Sequence, residues 1–129
     1  RSSVGWRDPG IVYRPEDGFH YMVLCAQLPE EDENAYLGTA IGRVRSKDLV
    51  HWEHLPPAVT PGLRERFYQI EEPEIFRLED QWYLIFDGGT TGGMRVSTPA
   101  RDDVRGSFYL MGQSLAGPFV PPAEDLLVG

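Results

Sequence analysis

At 129 residues the chain has the length of one ordinary domain, long enough to bury a core but short for an assembly of many blades or repeats. Its formal net charge of -8 and pI near 4.8 argue against a nucleic-acid backbone or an anionic membrane surface as partner, because both require a basic face. A neutral or cationic ligand is easier to accommodate. Cys25 is the single cysteine, so no intrachain disulfide framework exists, and a cytosolic and a secreted setting both stay open. No apolar run approaches the ~20 residues of a membrane-spanning helix, and no signal peptide is recognisable at the amino end. The start at Arg1 rather than at a methionine suggests a processed or truncated polypeptide.

In chain order, Trp6 and the tripeptide Arg7-Asp8-Pro9 open a first unit. Segments 10 to 14, 19 to 26, 36 to 45 and 50 to 54 are rich in Val, Ile, Tyr and Phe and are separated by Gly, Pro, Asp or Asn, which predicts four strands with turns between them. Pro29-Glu30-Glu31-Asp32-Glu33-Asn34 reads as a charged, solvated hairpin tip. Glu71-Glu72-Pro73 then answers Arg7-Asp8-Pro9 and opens a second unit, with strands predicted at 74 to 78, 81 to 87, 107 to 113 and 117 to 120 and a possible additional one at 93 to 98. Gly88-Gly89-Thr90-Thr91-Gly92-Gly93 reads as a flexible loop; without a following Lys or a helix start it is no phosphate cradle. Eleven prolines and the lack of sustained three-and-four apolar spacing exclude a long helix, and 99 to 105 is the least helix-averse stretch.

The two units keep a nearly constant period. Pro9 to Pro73 is 64 residues and Pro56 to Pro121 is 65, and Arg14-Pro15-Glu16-Asp17-Gly18-Phe19-His20-Tyr21 is echoed by Arg77-Leu78-Glu79-Asp80-Gln81-Trp82-Tyr83. A fixed period in a chain of short apolar runs marks a repeat architecture. The expected fold is all-β: two four-stranded antiparallel meanders, repeating over roughly 5 to 60 and 68 to 123 within a single domain of residues 1 to 129. Such units in tandem are propeller blades, and a partial propeller follows. Blades converge on an axis, so Asp8 and Glu71 are expected to face one another across a central funnel.

In order and spacing, Trp6-Arg7-Asp8-Pro9, Ser46-Lys47-Asp48-Leu49-Val50-His51-Trp52-Glu53 and Glu71-Glu72-Pro73-Glu74 resemble the five-bladed β-propeller catalytic module of glycoside hydrolase family 32, the invertases and fructanases. More distantly they resemble family 43, which includes arabinofuranosidases and xylosidases. The resemblance implies Asp8 as transition-state stabiliser, Arg7 as its sugar-binding neighbour, Glu71 as general acid/base and Glu74 as the acidic residue after the proline. Glu72 stands where family 32 usually has Cys, while the Glu-x-Pro frame, which family 43 shares in outline, is kept. In both families a further catalytic Asp comes from the first innermost strand, a full blade ahead of the Arg-Asp-Pro motif. Six residues precede Arg7 here, so the resemblance covers about two blades of five and two carboxylates of three.

Glycoside cleavage by such residues pairs one protonated and one ionised carboxylate around an oxocarbenium-like transition state. Glu71 would have to hold a proton at neutral pH, which crowding by Glu72, Glu74 and Asp8 favours if their side chains converge. Strand alternation predicts Glu72 on the opposite face from Glu71, as a structural residue. Arg7 offers paired donors for vicinal hydroxyls or a carboxylate. Trp6 is a candidate for sugar stacking, Asp87 for a substrate contact, and Trp82 reads more simply as core. His51 and His54 read as surface and edge residues rather than metal ligands, His20 as a half-buried packing residue, Cys25 as an inert buried thiol, and Asp102-Asp103 as a turn. Neither a cofactor nor a metal is expected.

Three functions of different class follow: a glycosidase acting on a furanoside or pentose-containing oligosaccharide, of β-fructosidase or arabinofuranosidase/xylosidase type; a carbohydrate-binding module without turnover; or a structural, self-associating module. The apolar flanks of a two-blade unit predict a homo-oligomer formed through exposed blade faces.

Overall fold

The computed structural model describes residues 6–27, 39–58, 67–90, 105–124 and 126–128. They form two four-stranded antiparallel sheets and, among the described residues, no helix. The first sheet contains β1 (Arg7–Arg14), β2 (Phe19–Gln27), β3 (Thr39–Ser46) and β4 (Glu53–Leu55); the second contains β5 (Phe67–Leu78), β6 (Gln81–Thr90), β7 (Arg105–Gly112) and β8 (Leu126–Val128). In each sheet the strands are ordered as they occur along the chain, which is a meander.

Each strand forms for reasons visible in its residues. Along β1 exposure alternates residue by residue, as the two-residue side-chain period of a half-buried strand requires. The β1–β2 hairpin turns at Gly18, whose φ of 71° suits a residue without Cβ, while the Asp17 carboxylate accepts from the Phe19 backbone N–H and the Tyr21 hydroxyl. Between β3 and β4 the chain is fastened by its own short polar side chains. Ser46 Oγ accepts from the N–H groups of Asp48 and Leu49, and Asp48 accepts from those of Val50 and His51. The last two of these bonds take the Val50 and His51 N–H groups that the expected strand at 50 to 54 would have paired, and β4 begins only at Glu53.

The second unit departs from expectation at its end. Val120 makes an isolated bridge to Met111, and the fourth strand lies beyond it, at Leu126–Val128. The bridge follows Pro118 and precedes Pro121, which cannot donate to a ladder, and pairing stops there. Gly88, Gly89 and Thr90 belong to β6 rather than to a loop. The readings at 29 to 34, 93 to 98 and 102 to 103 lie outside the described residues.

The two sheets pack face to face. Val23 and Ile41 of the first, with Val12 and Tyr21 at the margin, meet Ile70, Ile75, Leu84, Phe86, Phe108 and Leu110 of the second, closed over by Leu115 and Phe119. Arg43 reaches from the first sheet to the carbonyl of Leu115. β5 lies against β1, β2 and β3, so the opening strand of the second unit is the seam. At that seam a Cβ on Gly10 would collide with the Pro73 carbonyl, so the close approach of β1 and β5 needs glycine there.

Candidate functional site

Both acidic-Pro motifs interrupt their ladders in the same way. The pairing of β1 with β2 slips between Arg7 and Gly10, and that of β5 with β6 slips on either side of Glu71. Asp8 and Glu72, each immediately before a proline, take left-handed backbone angles, φ 55° and 49°. A proline disfavours the helical region for the residue before it, and a left-handed non-glycine is itself strained, so each motif is a strained bulge that re-aims its side chains. Register makes the equivalence explicit. Arg7 pairs with Cys25 as Glu71 pairs with Asp87, and Gly10 pairs with Val23 as Glu74 pairs with Ile85. The counterpart of Asp8 is therefore Glu72, and Glu71 occupies the place of Arg7.

Arg7 joins the two units. Its Nη2 donates to Glu71 Oε1 at 2.8 Å and its Nε lies 3.2 Å from Asp8 Oδ2. Asp8 and Glu71 are thus gathered onto one guanidinium at adjacent strands, rather than opposed across a funnel. The Glu71 hydrogen bond, ahead of the attraction of the two carboxylates, holds the Arg7 guanidinium above its usual range. Asp8 Oδ2 collects two further donors, Cys25 Sγ at 3.4 Å and the Glu72 backbone N–H at 3.5 Å. Cys25, 2% exposed, has a single S–H to share between Asp8 and the Ile70 carbonyl, which lies 3.1 Å away, so its thiol sits where β2, the β1 bulge and β5 meet. Burial first, then the hydrogen bond to Asp8, pushes this thiol up to about 12; a thiol so held is not a nucleophile.

Beside the ion pair, the two bulges line an open groove of about 270 Å³ formed by Asp8, Pro9, Gly10, Glu72, Pro73 and Glu74. Glu72, read from strand alternation as a structural residue, is exposed and lines this groove with Glu74. The bulge breaks the alternation on which that reading rested. The signal that finds it is the 64-residue offset itself, which superposes Glu72-Pro73 on Asp8-Pro9. The crowding anticipated around Glu71 is met by a cation, Arg7, and by Asp87, which stands opposite Glu71 in the ladder and accepts from the Ser107 hydroxyl.

The remaining candidates divide. Trp6 is 49% exposed beside Arg7 and meets His54 edge to face at 5.5 Å. Trp82 packs against the core. His51 is exposed and its Nδ1 bonds Asp48 Oδ2 at 2.7 Å within the Ser46–His51 turn. His20 lies tilted against Tyr13 with ring centroids 4.8 Å apart. Among the described residues no three of His, Cys, Asp and Glu converge as metal ligands.

The fold is that of solved glycoside hydrolases. Endo-arabinase from Bacteroides thetaiotaomicron superposes with a TM-score of 0.67 at 21% identity, covering 99% of this chain and 38% of that one. The chain has the fold of part of a β-propeller. A GH43_1 enzyme from Xanthomonas citri complexed with xylotriose gives a TM-score of 0.67 at 16% identity, over 98% of this chain and 34% of that chain. Inulosucrase from Halalkalicoccus jeotgali bound to kestose gives 0.69 at 20% identity, over 95% and 32%. This partial propeller therefore spans about a third of the length of the structures it matches. No family model matches the sequence, and no curated protein matches it.

Proposed function

We propose that Arg7, Asp8 and Glu71 form part of the sugar site of a glycoside hydrolase acting on a furanoside or pentose-containing oligosaccharide, with Glu71 as general acid/base and Asp8 as stabiliser of the transition state. The observation that carries this reading is the single guanidinium shared by carboxylates of two successive blades, on a propeller whose structural neighbours include an arabinase and a xylotriose-bound enzyme. Arg7 is the movable part. Its fork is matched to vicinal hydroxyls as well as to carboxylates, and it is half exposed. A sugar that engages Arg7 leaves the guanidinium on Asp8 and frees Glu71, which then takes up a proton and delivers it to the glycosidic oxygen as the C–O bond breaks. Asp8, held among three donors, faces the positive charge that develops on the sugar ring. Trp6, Glu74 and Asp87 supply the surrounding contacts, the first by stacking and the others by accepting hydroxyl protons. The further carboxylate that a two-carboxylate cleavage needs comes from another blade.

The test is hydrolysis of chromogenic arabinofuranosides, xylosides and fructosides. Glu71→Gln lowers the rate by about 10²–10⁴-fold, the worth of one general acid/base, while Glu79→Gln, on the distant β5–β6 turn, leaves it unchanged. Turnover unaffected by Glu71→Gln overturns the assignment. A second reading, sugar binding without turnover, is favoured by the resting ion pair, which presents Glu71 as an anion fixed to a cation. Calorimetric binding of arabinosides or xylosides with no turnover supports it; no binding at millimolar sugar overturns both.

A further inference from the structure

A second cavity lies at the end of the first sheet opposite to the ion pair. Phe19, Lys47, Asp48, His51, Trp52 and Glu53 line an open pocket of about 380 Å³ there. Along β2 the pocket stands at Phe19 and the ion pair at Cys25, the register partner of Arg7, so at ~3.3 Å per residue the two are roughly 20 Å apart. Phe19 keeps the two-residue alternation of Tyr21, and Arg45 is paired with Tyr21, which packs against the core shared with the second sheet. The ring that floors the pocket therefore belongs to the face turned towards the second blade.

Its polar groups are held in place but not used up. Arg45 and Lys47 both sit over the Phe19 ring, 4.4 Å and 4.9 Å from its centroid. Arg45 Nε also donates to Glu53 Oε2 at 2.8 Å, which fixes that carboxylate and leaves its Oε1 without a partner among the described residues. Lys47 Nζ has the Phe19 ring and, among the described residues, no carboxylate, so its N–H donors remain open. Asp48 is spoken for by Ser46 Oγ, by the Val50 and His51 N–H groups and by the His51 ring. The His51 backbone bond, ahead of its ring, holds the Asp48 carboxyl below the usual carboxylate range. Trp52 adds a half-buried indole, a flat apolar face that costs little entropy to use. The four charges balance, Arg45 and Lys47 against Asp48 and Glu53, although the chain as a whole carries -8. An uncharged ring with hydroxyls complements such a pocket, because it needs an apolar platform, a donor and an acceptor, all positioned in advance.

We propose that this pocket is a second sugar-binding site, which takes one ring of a neutral oligosaccharide against Trp52 while Lys47 Nζ donates to one hydroxyl and Glu53 Oε1 accepts from another. It rests on the sugar-directed reading of the chain and goes beyond it, since none of its residues belongs to the ion pair. So far from Glu71, it anchors a sugar and does not cleave one.

The three tryptophans make the test local, because Trp52 lines this pocket, Trp6 stands beside Arg7 and Trp82 packs against the core. Their indole N–H resonances are followed in the full chain during titration with xylotriose, arabinotriose and kestose at millimolar concentration. One of these sugars is expected to shift the Trp52 resonance saturably and to leave Trp82 in place. Lys47→Met, at an exposed position, raises the apparent Kd at Trp52 by about tenfold, as loss of a hydrogen bond from a charged group should, and Glu71→Gln leaves it unchanged. A Trp52 resonance that no sugar moves, a shift that Lys47→Met does not weaken, or an equal shift with glycerol overturns the proposal. Movement of Trp6 alone keeps the sugar site at Arg7 and removes this one. Movement of Trp52 alone does the reverse, and stillness of both removes the two together.

Discussion

The two blades are one backbone carrying two chemistries. Each opens with a strand interrupted before a proline, each puts a left-handed acidic residue at the interruption, and each pairs its first and second strands in the same register. The side chains at equivalent points have diverged in charge. Arg7 and Cys25 face one another across the first ladder where Glu71 and Asp87 face one another across the second. One blade therefore brings a cation and a neutral thiol to the seam, the other two carboxylates. Like charges directly opposite destabilise a ladder, and here Arg7 of the neighbouring blade offsets that cost. What repeats is the device that aims side chains at the seam, and what varies is what it aims.

Substitutions at equivalent positions sharpen this comparison. The largest expected effect is at Leu84 and its counterpart Met22. Leu84 is fully buried between the blades, whereas Met22 lies on the outer face and is half-buried. Leu84→Ala is expected to cost about 2–5 kcal/mol in urea unfolding, and Met22→Ala less than half of that. Equal costs would mean that the outer face is packed as tightly as the seam. Next comes Gly10, whose counterpart is Glu74. Gly10→Ala drives a methyl group into the Pro73 carbonyl and is expected to cost about 1–3 kcal/mol. Glu74→Ala, at an exposed site, stays within about 0.5 kcal/mol. A neutral Gly10→Ala would show that β1 and β5 can part without loss.

Much of this architecture is legible in the residues. The repeat period, the all-β class, the meander order and the hairpin from β1 to β2 follow from apolar alternation and turn chemistry. The strand ends are less legible, since Ser46 and Asp48 spend their side chains on local backbone donors and delay β4, and the Val120 bridge gives way to Leu126–Val128. Within the site, Arg7, Asp8 and Glu71 are named by their motif, and the structure adds that they meet on one guanidinium. Glu72 and Cys25 are hidden for a physical reason. A bulge shifts side-chain direction by one residue without leaving a compositional trace, so alternation misassigns Glu72. The contact of Cys25 with Asp8 and Ile70 depends on three strands meeting, two of them far apart in the chain.

The smallest effect at neutral pH concerns Cys25 against its counterpart Asp87, and it grows with alkalinity. The folded thiol ionises only near 12, while an unfolded one ionises near 8.5. Its raised value favours the neutral form, so the stability it contributes is complete below about pH 8.5 and is lost as pH rises toward 12. Urea midpoints should therefore fall across that window, and Cys25→Ser, which keeps a donor to Asp8 but ionises far higher, should flatten the fall. Iodoacetamide at pH 8 should leave native Cys25 unmodified and label it on unfolding. Rapid labelling of the native protein would mean that the thiol is not locked between Asp8 and Ile70, and the first blade's bulge would then rest on Arg7 and the Glu72 backbone alone. Asp87, the counterpart of Cys25, is exposed and bonded to the Ser107 hydroxyl, so Asp87→Asn should leave the alkaline limb unchanged.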